Sequence, residues 1–225
     1  MKLINGSQFE IVMDDELQRH FGNPYNYTEA IIGQFNEDIY AGIVTKADKI
    51  ILDIGANVGL FALHVLPYAK KIICVEPTPE HMTAQRKIIT QGLNSFKNCL
   101  VIHEEAAINS FTGKANFHRC GINFTMNSLH HQNREQSFAV NCITLADLLD
   151  KYNLNTVDFC KIDIEGGEDF AINKETLMAC NGRIKKIFIE LHPGNKEYQN
   201  KYKPIFESAG FEVKFNHDDA LICTI

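Results

Sequence analysis

Ile51-Leu52-Asp53-Ile54-Gly55-Ala56-Asn57-Val58-Gly59-Leu60-Phe61 is the stretch on which the fold turns. Aliphatic residues run into one glycine, and a second glycine precedes a new apolar segment, which predicts a buried strand, a tight turn and a helix. In open α/β sheets such a junction is where ligands bind. Short apolar runs recur on either side of it, at residues 49–54, 71–76, 99–103, 157–164 and 184–191. Continuous apolarity over so few residues suits strands covered on both faces, as in a parallel sheet.

Helices are predicted to begin near Val58, Pro79, Glu168 and Lys196. In the last, Tyr198, Tyr202, Ile205, Phe206 and Ala209 fall on one helical face, with Gly210 as the stop. Residues 211–215 and 220–225 flank Asn216-His217-Asp218-Asp219, a closing antiparallel hairpin. Alternating strands and helices imply a doubly wound, Rossmann-like α/β sheet, mostly parallel. With no repeat and no Gly/Ser/Pro-rich linker, residues 1–225 read as one domain. Its core is 48–225, and 1–47 are an N-terminal extension that could cap the acceptor side. That extension holds a turn-rich segment at residues 22–27 and a helix from Thr28. Residues 109–145 interrupt the alternation with two strand-like runs, 114–119 and 137–143, that can pair as an inserted hairpin.

Of the 225 residues 45% are hydrophobic and 22% charged, so the chain can bury a core and is not disordered. The net charge of −6 argues against a nucleic-acid partner, since such binding rests on Lys and Arg neutralising phosphates. Seven cysteines with no C-x-x-C suggest free thiols in a reducing compartment. No run approaches the ~20 apolar residues of a membrane span. A cytoplasmic protein with no membrane partner is expected. His130 and His131 have no nearby partner at metal-ligand spacing and read as surface residues.

The turn also constrains its ligand. A dinucleotide fingerprint would put glycine at 57 and 60, where this chain has Asn57 and Leu60. Asp53, just before the turn, would repel a pyrophosphate. Glu76 ends the next strand, about 20 residues on, where an acid can accept both hydroxyls of a ribose. An adenosine ligand bearing positive charge fits better than a dinucleotide, and S-adenosylmethionine is such a ligand.

A second constellation ends the fourth and fifth core strands. Asp163, Glu165 and Glu168 lie within six residues, and Glu190 and His192 follow the next strand. All should reach the same rim as Gly55 and Glu76, where close carboxylates resist joint ionisation unless a cation is present. Plainer roles stay open: Glu168 can complement a helix N-terminus, Glu165 can orient the Gly166-Gly167 turn, and His192 can be a loop histidine.

Asp53-Ile54-Gly55-Ala56-Asn57-Val58-Gly59, Glu76-Pro77, Lys161-Ile162-Asp163-Ile164-Glu165-Gly166-Gly167-Glu168 and Glu190-Leu191-His192 together resemble the FkbM-type S-adenosylmethionine-dependent methyltransferases. The resemblance spans roughly residues 37–195, and Thr144 to Leu149 resemble the family's lead-in to the fourth strand. It implies a class I methyltransferase sheet of seven strands with an antiparallel last strand. It also implies O-methylation of a sugar or other small metabolite, so the partner expected is a small-molecule acceptor. On this reading Asp53, Gly55, Asn57 and Gly59 surround the methionine moiety and Glu76 holds the ribose. Glu105 and Ala106, within residues 104–107, lie by the adenine. His192 is the first choice for the base that takes the acceptor's proton, with Glu190 as its orienting partner or an acceptor ligand. Asp163 can serve as that base instead, or join Glu165 in binding Mg²⁺. The rival readings are an oxidoreductase-like nucleotide module and a degenerate methyltransferase fold that binds cofactor without catalysis.

Overall fold

A computed structural model of the chain describes residues 1–15, 17, 32–33, 35, 39–119, 129, 136–192, 196–216 and 219–225. The turn at 22–27, the helix start at Thr28, and His130 and His131 lie outside these residues. So do Cys120 and the centre of the hairpin turn at 217–218.

The apolar runs form the expected strands: β1 (Ile50–Ile54), β2 (Lys71–Val75), β3 (Leu100–Glu104), β7 (Phe159–Ile162) and β8 (Lys186–Glu190). The closing hairpin is β9 (Glu212–Asn216) and β10 (Ala220–Thr224). They make one seven-stranded sheet in the order β3-β2-β1-β7-β8-β10-β9. Its first five strands are parallel, while β10 runs antiparallel to both β8 and β9. The chain leaves β1 toward β2 on one side and returns to β7 on the other, so the strand order reverses beside β1. A crevice opens at the strand ends of such a reversal.

Strand alternation divides the core. Leu52, Ile54, Ile73, Val75, Cys160 and Ile162 project to one face and pack with Leu148, Leu177, Tyr202 and Phe206. These come from α3 (Leu145–Lys151), α5 (Lys174–Ala179) and α6 (Lys196–Ser208). Ile51, Ile72, Cys74, Phe159 and Phe188 project to the other face. There they meet α1 (Leu60–Val65) and α2 (Pro79–Ser95), with Leu3, Leu17, Phe35 and Tyr40 of the N-terminal extension. On that face the register sets Asp53 directly beside Lys161. The six described cysteines are free and buried. No described helix is long and apolar enough to cross a membrane.

Three local features differ from the expectation. The run at 157–164 is a strand only over Phe159–Ile162, because the chain turns beyond it through Glu165 and Gly166, both at positive φ. The helix expected from Glu168 is two, α4 (Glu168–Ala171) and α5, divided where Asn173 starts a new N-cap with a capping box to Thr176. The inserted hairpin of β5 (Gly113–Arg119) and β6 (Gln136–Ile143) gains a third strand, β4 (Ala107–Ile108), parallel to β6. Helix α3, which was not among the helices expected, is capped by Thr144, whose side chain accepts from the Asp147 amide at 3.0 Å.

Candidate active site

The glycine turn is shaped by how closely strand ends must approach. Gly55 and Ala56 both donate backbone N–H to the Val75 carbonyl at 3.0 Å, which ties β1 to β2. Gly55 has φ +76°, and a Cβ there would lie 1.7 Å from the Asp163 carbonyl oxygen, so only glycine fits. Gly59, φ +85°, opens α1, and Asn57 is also left-handed at φ 48°.

Glu76 is held from behind by three donors. Its Oε2 accepts from the Asn57 amide at 3.0 Å, and its Oε1 accepts from the Thr78 amide at 2.9 Å and His81 Nδ1 at 3.3 Å. Burial pushes this carboxyl up, but the bonds from His81 and Thr78 outweigh it and leave the pKa below the ordinary glutamate value. Behind the turn Gln85 donates to the Asn57 carbonyl at 2.9 Å and accepts from His103 Nδ1 at 2.5 Å.

A cavity of about 480 Å³ opens over this turn and the ends of β7 and β8. Gly55, Asn57, Glu76 and Ala106 line it, as do Asp163, Glu165 and Glu190. Asp53 does not; it is 0% exposed beneath the cavity. Gly59 stands behind the lining, and Glu105 is exposed and outside it. His192 is half-buried just beyond the lining, with Nδ1 3.2 Å from Glu168 Oε1 and Nε2 3.7 Å from Glu165 Oε2. Its Nε2 is 3.9 Å from Glu190 Oε1.

Sequence reasoning missed Lys161, Tyr40, His81 and Asp219, all of which line the cavity. Lys161 was within reach: it precedes Asp163 by two, the strand period that puts both on one face. Its Nζ lies 3.0 Å from Asp163 Oδ2 and 3.9 Å from Asp53 Oδ1. Tyr40 carries no signal, because it comes from the extension and reaches the cavity only by packing against Phe61 and Phe188.

The acids on the β7/β8 side are shifted opposite to Glu76. Burial, then Asp163, pushes Glu165 up to about 7, against the pull of His192. Asp163, then burial, does the same for Glu190 against the pull of Lys161. Burial drives Asp53 up to about 6 despite Lys161, and neither of its oxygens has a hydrogen-bond donor in good geometry. Burial lowers Lys161 and His192, but their acidic neighbours win. Lys161 stands well above the usual lysine range, and His192 reaches about 9. The acids around His192 therefore favour the protonated ring, which competes with the base role first expected of it and with any cation bound there. Among the described residues, Asp163, Glu165 and His192 form one group whose donor atoms lie within 4.8 Å of one another, a spacing that can hold a metal ion.

Residues 53–215, most of the chain and most of the cavity lining, match the family model for the methyltransferase FkbM domain. The chain belongs to that family. Solved structures similar to this FkbM-family chain include the methyltransferase FkbM of Methylobacillus flagellatus KT. It aligns at TM-score 0.54 and 12% identity over 78% of this chain and 43% of that one. The chain thus spans less than half the length of that protein, and identity this low speaks to the fold alone. The precorrin-6y C5,15-methyltransferase of Geobacter metallireducens GS-15 aligns at TM-score 0.47 and 13% identity, over 97% of this chain and 91% of that one. No curated protein matches the sequence.

Proposed function

We propose that this chain is an S-adenosylmethionine-dependent methyltransferase acting on a hydroxyl of a small acceptor. The observation that carries the reading is Glu76: a buried carboxylate braced by three donors, facing a cavity that borders a side-chain-free turn at Gly55. The donor set fits the cofactor. Glu76 keeps acceptor capacity for ribose hydroxyls, Asn57 and Ala106 border the same side, and the acids on the β7/β8 side suit a ligand with positive charge. A volume of about 480 Å³ is in the range of small-molecule sites. When bound, the cofactor supplies a methyl group activated by a cationic sulfur.

The chain's own residues align the acceptor, exclude water and take a proton, and alignment alone contributes several kcal/mol. Glu190, whose carboxylate lines the cavity, is the base on this reading: it receives the hydroxyl proton at Oε1, a role that typically contributes about 10²–10⁴-fold. His192, anchored on Glu168, positions the acids around it. Lys161 holds Asp163 toward the acceptor. Phe35, Ile39 and Tyr40 of the N-terminal extension wall the cavity with apolar surface, and we assign them to acceptor selection and to keeping water out.

Thermal unfolding with S-adenosylhomocysteine tests the cofactor. At 100 times its dissociation constant a ligand stabilises by about 2.7 kcal/mol, which should raise the midpoint by roughly 5–10 °C for a chain of this size. No shift at millimolar ligand would sink the reading.

A further inference from the structure

We infer that Asp163, Glu165 and His192 together bind one divalent transition-metal ion, of the manganese, iron or zinc class, at the β7/β8 rim of the cavity. The three come from the turn after β7 and the segment after β8, neighbouring parallel strands whose ends are brought level by the pairing of Ile162 with Ile189. Each offers a donor atom within 4.8 Å of the others. Ligands bound at about 2.1 Å to a common ion stand roughly 3–4.2 Å apart, so small side-chain rotations close the set.

The histidine is the telling member. Its Nε2 lies 3.7 Å from Glu165 Oε2 and 3.9 Å from Glu190 Oε1. Both separations are too long for hydrogen bonds, and the first matches the spacing of two ligands of one ion. The ring is instead oriented from behind, where Nδ1 meets Oε1 of Glu168, a residue only 1% exposed, at 3.2 Å. Histidines that bind metals hold their other ring nitrogen on a carboxylate in this way. Lys161 occupies Oδ2 of Asp163 at 3.0 Å and leaves Oδ1 for the ion. An imidazole among carboxylates favours manganese, iron, cobalt or zinc over magnesium or calcium, which take oxygen ligands. The Mg²⁺ pair anticipated from sequence, Asp163 with Glu165, thus becomes a mixed nitrogen and oxygen set.

Three protein ligands leave positions open for an acceptor oxygen. There the ion acts as a Lewis acid that lowers the pKa of the bound hydroxyl. The O–H bond breaks, its electron pair stays on oxygen, and the proton passes to Glu190 Oε1. This catalytic role rests on the methyl-transfer reading, whereas ion binding does not.

Calorimetric titration of the untagged full chain with MnCl₂, and separately with ZnCl₂ and MgCl₂, tests the site. One Mn²⁺ or Zn²⁺ per chain is expected, with Mg²⁺ weaker, and Glu165→Gln and His192→Ala should each weaken binding at least tenfold. Absence of saturable binding at one ion per chain, or binding unchanged in the variants, overturns the inference. Should His192→Ala not fold, the near-isosteric Glu165→Gln decides. S-adenosylhomocysteine binding is measured on the same samples. If it binds and no ion does, the metal site fails and methyl transfer stands; if the ion binds and it does not, the reverse holds.

Discussion

The two sides of the cavity treat their acids in opposite ways. On the β1/β2 side Glu76 is satisfied by the Asn57 and Thr78 amides and His81, and stays readily ionised. On the β7/β8 side Glu165 and Glu190 repel Asp163 and are held up to about 7, and Asp53 of β1, paired beside Lys161 of β7, is buried without a good donor. The first side is complete as folded, its carboxylate already held by fixed donors. The second carries more negative charge than Lys161 and His192 can balance, an arrangement that costs stability unless a cationic group joins it. Functional chains keep such costs where binding needs them.

The strongest way to break the contrast is at the point where the two sides touch. Gly55→Ala drives a Cβ to 1.7 Å from the Asp163 carbonyl at a positive φ. It should destabilise the fold by about 4 kcal/mol and abolish S-adenosylhomocysteine binding, as read by urea unfolding and calorimetry. Wild-type stability in this variant would mean that the strand ends do not meet as described.

Asp53→Asn should do the reverse to stability. Its folded pKa of about 6 lies above the 3.8 of the free side chain. The folded state therefore binds the proton more tightly, and stability falls as pH rises from about 4 through 6, then levels off. The neutral amide removes that penalty, so Asp53→Asn should gain on the order of 2 kcal/mol at pH 7 and nothing at pH 4. Denaturant midpoints at the two pH values check the sign, and a variant that is less stable at pH 7 refutes the idea of a strained carboxylate.

The smallest expected effect sharpens the first side. His81→Leu removes one of three donors to Glu76, which is worth about 1 kcal/mol, and should weaken S-adenosylhomocysteine binding roughly fivefold while leaving ion binding on the other side intact. A loss of both by titration would show that the two sides are not independent.

Much of this was legible in the chain. The strands announced themselves because the sheet is covered on both faces, with Ile51, Ile72 and Phe159 packed on one and Leu52, Ile73 and Cys160 on the other, and burial of that kind leaves no room for polar alternation. Gly55, Glu76, Asp163 and Glu190 were legible because a strand end in a parallel sheet faces the ligand crevice whatever the rest of the chain does. Short-range signals misled where capping decides: Asn173 starts a separate helix through a bond to the Thr176 amide at 2.9 Å. Asp53 and Glu105 were expected at the ligand, yet Asp53 points beneath the cavity floor and Glu105 into solvent, since motif spacing says nothing of side-chain direction beyond the strand.

The sequence by itself determined the fold class, the ligand-facing turn and the set of acids, because these follow from periodicity and from the end of a strand. Tertiary structure alone decided which of those acids are satisfied and which are not. Donors such as His81, the Asn57 amide and Lys161, and walls such as Tyr40, reach the site across elements distant in the chain. Ionisation and hydrogen bonding depend on such through-space distances and on burial, which no local pattern encodes.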